Sequence, residues 1–493
     1  MKRVVSIVIV LVFLATALFA GTTFWLGGQA KQQYDDILVQ ASQSMYIHLA
    51  NESYDRGFLR SKARTVVKIP DLGGRLGEDA QKEREDLVEF TLVHDIRHGP
   101  FSLGESSDGK RQPKPALAVI ETGIEFSPRS QAKMKEILSE LPEIASVKNH
   151  TTLSLAGHGE TRLVIPPLHR TVGKDEKVAV NWQGLIANMA FTADLKGFTG
   201  SLSAPNLEAV GDDAAIKMKG MASTFDTHEG ISGLFLGDAS FDLAHLEFAE
   251  KKKGQRRQFS MDGLKMRTSS QAMTDTVNYS MTVQIDQVMT NDTPYGPGGC
   301  ELELRKLDAA TLAKLQHVFQ ELQAQFPQRS AQEINQMMVA KYAEILPELV
   351  KKSPEIEITQ LSLKTTDGGF WGKAKIVFDG TNAAAISNPL FLLSAVTAHA
   401  ELTITDGLLK RIYESSHKKE IMAAIKQGRR EPLSDEQVQA LASAECKKRL
   451  EALVAQNILM YEDGHYKASA DYQQGRVTLN GRPLTLQDLM QRG

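Results

Sequence analysis

Apolar residues along the chain follow three patterns, and each predicts a different structure. The first is an unbroken stretch from Val4 to Ala30 that carries no charged side chain. The second is recurrence at intervals of three and four residues, which predicts helices. The third is alternation with polar residues, which predicts strands with one buried and one wet face. The clearest alternating set is Val277, Tyr279, Met281, Val283 and Ile285.

The uncharged stretch is long enough to cross a membrane. A bilayer core is about 30 Å thick and needs roughly 20 apolar residues in a helix. Lys2 and Arg3 precede the stretch, so the amino terminus is expected to stay cytoplasmic and the rest of the chain to cross. A cleaved signal peptide is disfavoured because cleavage after Ala20 would place Leu18 where a small residue is needed. We therefore predict a cytoplasmic tip and single transmembrane anchor over residues 1–28, continued by a helix to about Ser44.

Residues 29–299 are predicted to form a β-rich domain outside the cytoplasm. Strand patterns such as Val178, Val180 and Trp182 alternate with glycine-containing turns, which is typical of an antiparallel meander. Pro100 and Pro297 are expected to end strands, because proline donates no ladder hydrogen bond. No fixed-length repeat is evident.

Residues 300–493 are predicted to form an α+β domain, and the boundary near Gly299 is soft. Asp308 begins a predicted helix, Ser330 with Glu333 begins a second, and Ser434 with Gln437 begins the last. The segment from Leu390 to Val396 is expected to be a buried helical turn. Asn480 and Gly481 predict a two-residue hairpin loop at the end of the chain. The fold class is thus α+β: a transmembrane helix, an extended and mainly antiparallel sheet, an α-helical insertion and an α+β carboxyl-terminal part.

The composition excludes some partners. The chain has 57 Lys and Arg against 60 Asp and Glu, for a net charge of −3, and only 6% aromatic residues. That balance gives no strong general attraction to nucleic acid or to anionic lipid. Cys300 and Cys446 are too far apart in sequence for a cysteine-rich zinc motif. They could form a disulfide in an oxidising compartment, or Cys446 could be a buried thiol on a predicted helix face with Val438, Ala442, Leu450 and Leu453.

The histidines are the only candidates for chemistry. His94 and His98 lie on a predicted strand, where residues four apart share a face but are roughly 13 Å apart, too far for one zinc ion. His158 and His465 lie in turn-like sequence beside glycine. The chain has no nucleophile elbow and no phosphate-binding loop. We therefore assign no catalytic, cofactor-binding or metal-binding residue, and no cofactor.

Two other groups are interpreted as structural. The basic run Lys251–Arg257 is expected to be a solvated hairpin tip, with binding to anionic head groups or a partner as the alternative. Five phenylalanines are expected to fill a sheet core rather than line a ligand groove: Phe198, Phe225, Phe235, Phe241 and Phe248.

Several short strings, taken in order along nearly the whole chain, resemble the YdgA-like family of bacterial proteins. They include Ser53-Tyr54-Asp55-Arg56-Gly57-Phe58, His98-Gly99-Pro100-Phe101, Tyr295-Gly296-Pro297-Gly298, Asn388-Pro389-Leu390 and the run from Val477 to Leu484. The resemblance implies a Gram-negative inner-membrane protein that faces the periplasm. The family has no established chemistry, so it supplies no catalytic residue.

Two functions fit these features. The first is a non-enzymatic envelope protein that binds a lipid or a protein partner along a half-apolar sheet. The second is a periplasmic hydrolase acting on a cell-wall or lipid substrate, which requires a histidine to approach a serine or carboxylate within about 3 Å. A homo-oligomer formed through an exposed strand edge is also compatible with the pattern.

Overall fold

The computed structural model describes residues 48–55, 57, 60–69, 88–98, 101–105, 111–126, 147–173, 177–252, 255–290, 293–325, 331–387, 389–473 and 475–484. The anchor predicted over residues 1–28, its helical continuation, Pro100 and Ser330 lie outside these ranges. Among the residues within them, no helix is both long enough and apolar enough to cross a membrane.

Most of the described chain is β-strand, as the alternating pattern predicted. The strands up to Lys252 are β1 His48–Asp55, β2 Arg60–Ile69, β3 Val88–His98, β4 Phe101–Glu105, β5 Arg111–Pro115, β6 Ala118–Phe126, β7 Lys148–Leu153, β8 Gly159–Ile165, β9 Leu168–Val172, β10 Val178–Trp182, β11 Leu185–Phe191, β12 Gly197–Gly211, β13 Ala214–Glu229 and β14 Phe235–Lys252. Those that follow are β15 Gln255–Ala272, β16 Thr276–Ile285, β17 Gln287–Thr290, β18 Thr293–Asp308, β19 Glu355–Thr365, β20 Gly368–Phe378, β21 Val396–Thr405, β22 Met460–Glu462, β23 His465–Gln473, β24 Arg476–Leu479 and β25 Arg482–Leu484.

Helices occupy three parts of the described chain. Between β18 and β19 lie α1 Ala309–Gln325 and α2 Ala331–Val350, and after β20 lies the short α3 Ala383–Ser387. Two long helices, α4 Asp406–Lys426 and α5 Asp435–Ala455, follow β21. Two short 3₁₀ turns cover Ile231–Gly233 and Pro389–Ala395.

Local sequence explains where two of these helices begin. Asp308 Oδ1 accepts a 2.8 Å hydrogen bond from the Thr311 backbone N–H at the start of α1. Ser434 and Gln437 form the predicted capping box of α5, in which each side chain accepts a hydrogen bond from the other residue's backbone N–H. The predicted helix starts at Asp308 and Ser434 are therefore confirmed.

The chain divides into two compact units. The first contains Met1–Ser260 and Leu312–Tyr342, and the second contains Met261–Thr311 and Ala343–Gly493. The predicted division into residues 1–28, 29–299 and 300–493 stays a prediction.

In the first unit, antiparallel neighbours run in the order β1, β2, β3, β6, β7, β8, β11, β12, β13 and β14. The other half of β12 pairs with β10, which pairs with β9. Alternate residues of these strands face one continuous hydrophobic core, whose largest fully buried side chains include Phe90, Leu92, Ile120, Leu153 and Leu163.

In the second unit, antiparallel neighbours run in the order β15, β16, β18, β19, β20, β21, β23, β24 and β25. Helices α4 and α5 pack on one end of this sheet, where Ile404 and Tyr466 join Leu408, Cys446 and Leu450 in a small core. Helices and antiparallel sheet in one chain are compatible with the predicted α+β class.

Two local predictions were wrong, and one helix was missed. Strand β18 continues through Pro297, because Gly296 and Pro297 lie at an irregularity where neither neighbouring strand needs a ladder donor. The turn at Pro389–Ala395 is helical but not buried, since Phe391 and Leu393 are exposed. Helix α4 was not predicted, because charged residues interrupt its apolar positions.

Candidate functional site

One face of the second unit's sheet is apolar across seven strands, β16, β18, β19, β20, β21, β23 and β24. We call it the apolar face. Directly opposed residues on these strands form four cross-strand rows. In strand order the rows are Tyr279, Leu304, Ile356, Ile376, Ala398, Tyr472 and Val477; Met281, Leu302, Ile358, Ala374, Ala400, Ala470 and Leu479; Val283, Cys300, Leu361, Gly372, Leu402 and Ala468; and Ile285, Gly298, Leu363, Phe370, Ile404 and Tyr466.

The opposite face of the same strands is polar, and we call it the charged face. One of its rows contains Ser280, Glu303, Glu357, Lys375, His399, Asp471 and Thr478. Because side chains alternate between faces, both surfaces follow from one alternating sequence pattern once the register is fixed. The sheet therefore separates an ionic surface from a hydrocarbon surface.

The apolar face is only partly covered within the described chain. Helices α4 and α5 pack over the row that contains Phe370, Ile404 and Tyr466. Beyond that row the side chains are half-buried or exposed, and Leu402 has 43% of its surface accessible. Contiguous exposed apolar surface on a folded protein usually marks a binding site.

Small residues form the middle of this face. Ala374, Ala400 and Ala470 are direct neighbours on β20, β21 and β23, and Gly372 and Ala468 lie one row away. The larger side chains beside them are Ile376 and Tyr472 in the first row and Leu402 in the third row. The result is a shallow apolar floor, which we call the alanine floor, bounded by bulkier groups.

Electrostatic contacts stabilise the charged face. Glu355 accepts hydrogen bonds from Lys306 Nζ at 2.5 Å and Lys375 Nζ at 3.1 Å, and Arg305 Nη1 lies 3.5 Å away. These contacts, led by Lys306 and then Lys375, lower the pKa of Glu355 to about 2. Arg305 also donates to Glu357 at 2.6 Å.

His399 is a charged-face residue that sequence reasoning missed. Its Nδ1 lies 2.7 Å from Asp471 Oδ1 and its Nε2 lies 2.9 Å from Glu401 Oε1. The contact with Asp471, followed by that with Glu401, raises the pKa of His399 above its ordinary value. Alternation placed His399 on a polar face, but only the pairing of β21 with β23 brings Asp471 opposite it.

His94 in the first unit is a buried residue of the core. Its Nε2 lies 3.0 Å from Thr65 Oγ1 and its Nδ1 lies 2.9 Å from Thr122 Oγ1. Complete burial lowers its pKa to about 3. His94 is therefore neutral at physiological pH and unable to reach a substrate in solvent.

His98 meets the distance criterion set for a hydrolase. Its Nε2 lies 2.8 Å from Ser61 Oγ, which also accepts a 3.3 Å hydrogen bond from the Gly57 N–H. Ser61 is only 1% exposed, however, so its hydroxyl is closed to an external ester or amide. The pair therefore lies at the β2–β3 end of the core, where the Ser61 hydroxyl is buried.

The other two histidines of the prediction lie at loop positions or next to them: His158 in the loop before β8, and His465 at the first residue of β23. The backbone carbonyl of His158 accepts a hydrogen bond from Ser154 N–H in the loop between β7 and β8. His465 Nδ1 lies 2.8 Å from the carbonyl oxygen of Asp463. Within the described ranges, no group of three or more histidine, cysteine or acidic side chains could hold a metal ion.

Both cysteines have free thiols. Cys446 is buried on the α5 face with Val438, Ala442 and Leu450, as one of the two sequence interpretations held. Its burial raises the pKa of the thiol. Cys300 is half-buried and lies in the third row of the apolar face.

The phenylalanines divide between core and surface. Phe198 and Phe225 pack against the core of the first unit, whereas Phe235 is 45% exposed. The basic run lies where β14 ends and β15 begins, and Lys253 and Gly254 are outside the described residues.

Comparison with known proteins adds a family but no chemistry. The model of the family "Bacterial protein of unknown function (DUF945)" matches residues 1–487. Protein YdgA of Escherichia coli (strain K12) is 20% identical over 502 residues, which cover 96% of this chain and 93% of that protein. No solved structure matches the chain.

Proposed function

Since the chain belongs to the DUF945 family of bacterial proteins of unknown function, we propose its function from the geometry of its sheet. The protein is a single-pass inner-membrane protein of a Gram-negative envelope whose folded part lies in the periplasm. It binds a lipid acyl chain on the apolar face of the second unit and catalyses no reaction.

The location rests on the sequence. Residues 4–30 contain no charged side chain and follow Lys2 and Arg3, the arrangement expected of an anchor with a cytoplasmic amino terminus. A protein held at a bilayer is surrounded by lipid, so an apolar surface there meets acyl chains at high local concentration.

The single observation that supports lipid binding is the apolar face itself. Its first two rows cross seven strands and therefore extend about 29 Å at about 4.8 Å per strand, against about 15 Å for the half-bilayer that one acyl chain spans. The alanine floor gives a chain room to lie across the strands. Leu402, 43% exposed, and exposed Ala400 offer it contact.

The hydrolase remains the alternative, because Ser61 Oγ and His98 Nε2 are 2.8 Å apart. Burial of Ser61 argues against it, since a general base and its nucleophile must meet the substrate. The test is fatty-acid release from phospholipid vesicles by the full chain and by Ser61→Ala. We expect none from either protein. Release that Ser61→Ala abolishes would establish the hydrolase.

Photo-crosslinking tests the lipid site. The full chain is reconstituted in vesicles that contain a phospholipid with a diazirine in one acyl chain, and the adducts are mapped by mass spectrometry. We expect adducts on β20, β21 and β23 at residues of the apolar face. Adducts spread equally over both faces would contradict the proposal.

A matched pair of variants sharpens this test. Leu402→Glu places a charge on the apolar face, and Thr397→Glu places one on the charged face of the same strand. Because a carboxylate against hydrocarbon is strongly unfavourable, we expect about tenfold fewer adducts in Leu402→Glu and no change in Thr397→Glu. Both positions are exposed, so neither charge must be buried for the chain to fold. Equal crosslinking of the two variants would refute a lipid site on this face.

A further inference from the structure

We infer that the 3₁₀ turn Pro389–Ala395 inserts into the surface of a lipid bilayer and brings one end of the apolar face to the membrane. This inference rests on the proposed function, because it identifies where the acyl chain enters. We call the segment the apolar turn.

The apolar turn exposes two large hydrophobic side chains that the sequence pattern would have buried. Phe391 is 53% exposed and Leu393 is 69% exposed, the highest value among the large apolar residues of the second unit. They lie two residues apart in one short turn. An aromatic and an aliphatic side chain displayed together are typical of a segment that rests in the interfacial region of a bilayer.

Hydrogen bonds hold the turn in this conformation. Ser394 Oγ donates to the Phe391 carbonyl at 2.7 Å, and Asn382 Nδ2 donates to Ser394 Oγ at 3.2 Å. The Asp379 N–H donates to the Ala395 carbonyl at 2.7 Å. The exposure is therefore part of a fixed local structure and does not come from a frayed end.

The apolar turn adjoins the apolar face. Tyr472, which lies in the first row beside Ala398 and Val477, donates its hydroxyl to the Leu393 carbonyl at 3.0 Å. The turn that carries Phe391 and Leu393 thus lies beside the first row, at the end of the sheet where β21 begins. A lipid tail that leaves the bilayer beside the turn reaches the alanine floor without crossing the charged face.

The sequence identifies the occupant as a bilayer. The same chain carries the uncharged stretch from Val4 to Ala30, which holds the protein at a membrane. Because the anchor keeps the folded part near the bilayer, contact between the turn and the bilayer is effectively intramolecular. Two inserted side chains are then enough to hold this contact, where a free protein would need a larger apolar surface.

Site-specific fluorescence tests the inference on the full chain in proteoliposomes. Cys300→Ala removes the accessible thiol, and buried Cys446 is retained. An environment-sensitive dye is attached to Leu393→Cys on the apolar turn, to Leu402→Cys on the apolar face, or to Lys373→Cys on the charged face. Vesicles contain phosphatidylethanolamine and phosphatidylglycerol, with or without a phospholipid that carries a doxyl quencher near the head group.

The dye at position 393 is expected to show blue-shifted emission and at least about twofold more doxyl quenching than the dye at position 373. Quenching equal to that at position 373 would overturn the inference. A blue shift without quenching would also overturn it, because it would indicate a protein partner or a second copy. Failure of the protein to float with the vesicles would show that it is not anchored in them, and this result would overturn the inference as well.

The dye at position 402 separates this inference from the proposed function. Quenching at position 393 alone supports the membrane contact and contradicts lipid binding on the apolar face. Quenching at position 402 alone supports lipid binding and contradicts the membrane contact.

Discussion

His94 of β3 lies directly opposite Thr122 of β6, and its Nδ1 is 2.9 Å from the Thr122 hydroxyl oxygen. Thr65 contacts the other ring nitrogen from β2, so one imidazole joins three strands of the first unit inside its core. The ring is fully buried, and burial is the reason that its pKa falls to about 3.

This burial predicts acid sensitivity. The folded state keeps His94 neutral, while the unfolded chain takes up a proton below its ordinary pKa of 6.5. The free energy of unfolding should therefore fall as the pH decreases from 6.5 towards about 3, by up to about 1.4 kcal/mol per pH unit. Urea denaturation over that range should show a shallower pH dependence for His94→Gln, which cannot titrate. Parallel curves for the two proteins would contradict the assignment.

Glu355 predicts a pH dependence in the second unit. Its pKa is lowered to about 2, so its contribution to stability is complete above its ordinary pKa of 4.5 and is lost as the pH falls towards 2. Glu355→Gln should lower the free energy of unfolding by about 1–2 kcal/mol at pH 7, with the difference shrinking in acid. Glu462→Gln, which removes one exposed pair with Lys467, is the control and should have a much smaller effect. An equal loss of unfolding free energy in the two variants would show that Glu355 contributes no more to stability than an exposed ion pair does.

Asn480 stabilises the last hairpin through both its backbone and its side chain. Asn480 and Gly481 have φ of +49° and +77°, as a two-residue turn between β24 and β25 requires. The side chain donates to the carbonyls of Asn457 and Ile458 and accepts from the Ser469 N–H. Asn480→Ala should cost about 2–4 kcal/mol of stability in thermal unfolding. Asn480→Asp keeps the acceptor but turns a carboxylate oxygen towards two carbonyl oxygens, so it should also lose stability, and unchanged stability would refute the role of the side-chain donors.

Cys300 offers a chemical readout of lipid on the apolar face. It is half-buried in the third row, whereas Cys446 is buried, with a raised pKa. A thiol reagent should modify Cys300 and leave Cys446 intact in the folded chain, because the thiolate is the reactive form and must be accessible. Added phospholipid should slow modification of Cys300 about tenfold. Cys300→Ala is the control and should take up no reagent in the folded state. If phospholipid leaves the rate of Cys300 modification unchanged, the lipid binds elsewhere.

Sequence patterns located many individual elements of the fold. The alternation at Val277 to Ile285 became β16, the residues 87–98 became β3, and the capping box at Ser434 became the start of α5. These signals are local, since each depends on residues within one turn or one strand. The exposure of Phe391 was not foreseen, because an apolar residue in a turn gives no sign of whether another element covers it.

The sequence predicted that the candidate site would be a half-apolar sheet, but it did not predict which strands would form it. Alternation between apolar and polar residues places Leu402 and Ala400 on one side of β21, and it places His399 and Glu401 on the other. It could not tell which strands would adjoin β21. Residues 358, 374 and 470 lie in one row with Ala400 only because strands from different segments of the chain pair with one another.

The sequence by itself determined the uncharged amino-terminal stretch, the two-residue periodicity, the helix caps at Asp308 and Ser434 and the turn at Asn480. Each follows from side-chain chemistry acting over a few residues. Only the tertiary structure decided that four rows of apolar residues align across seven strands, that Ser61 is buried beside His98 and that Phe391 is exposed. Register and burial are properties of the assembled sheet, because each residue's neighbours there come from other parts of the chain.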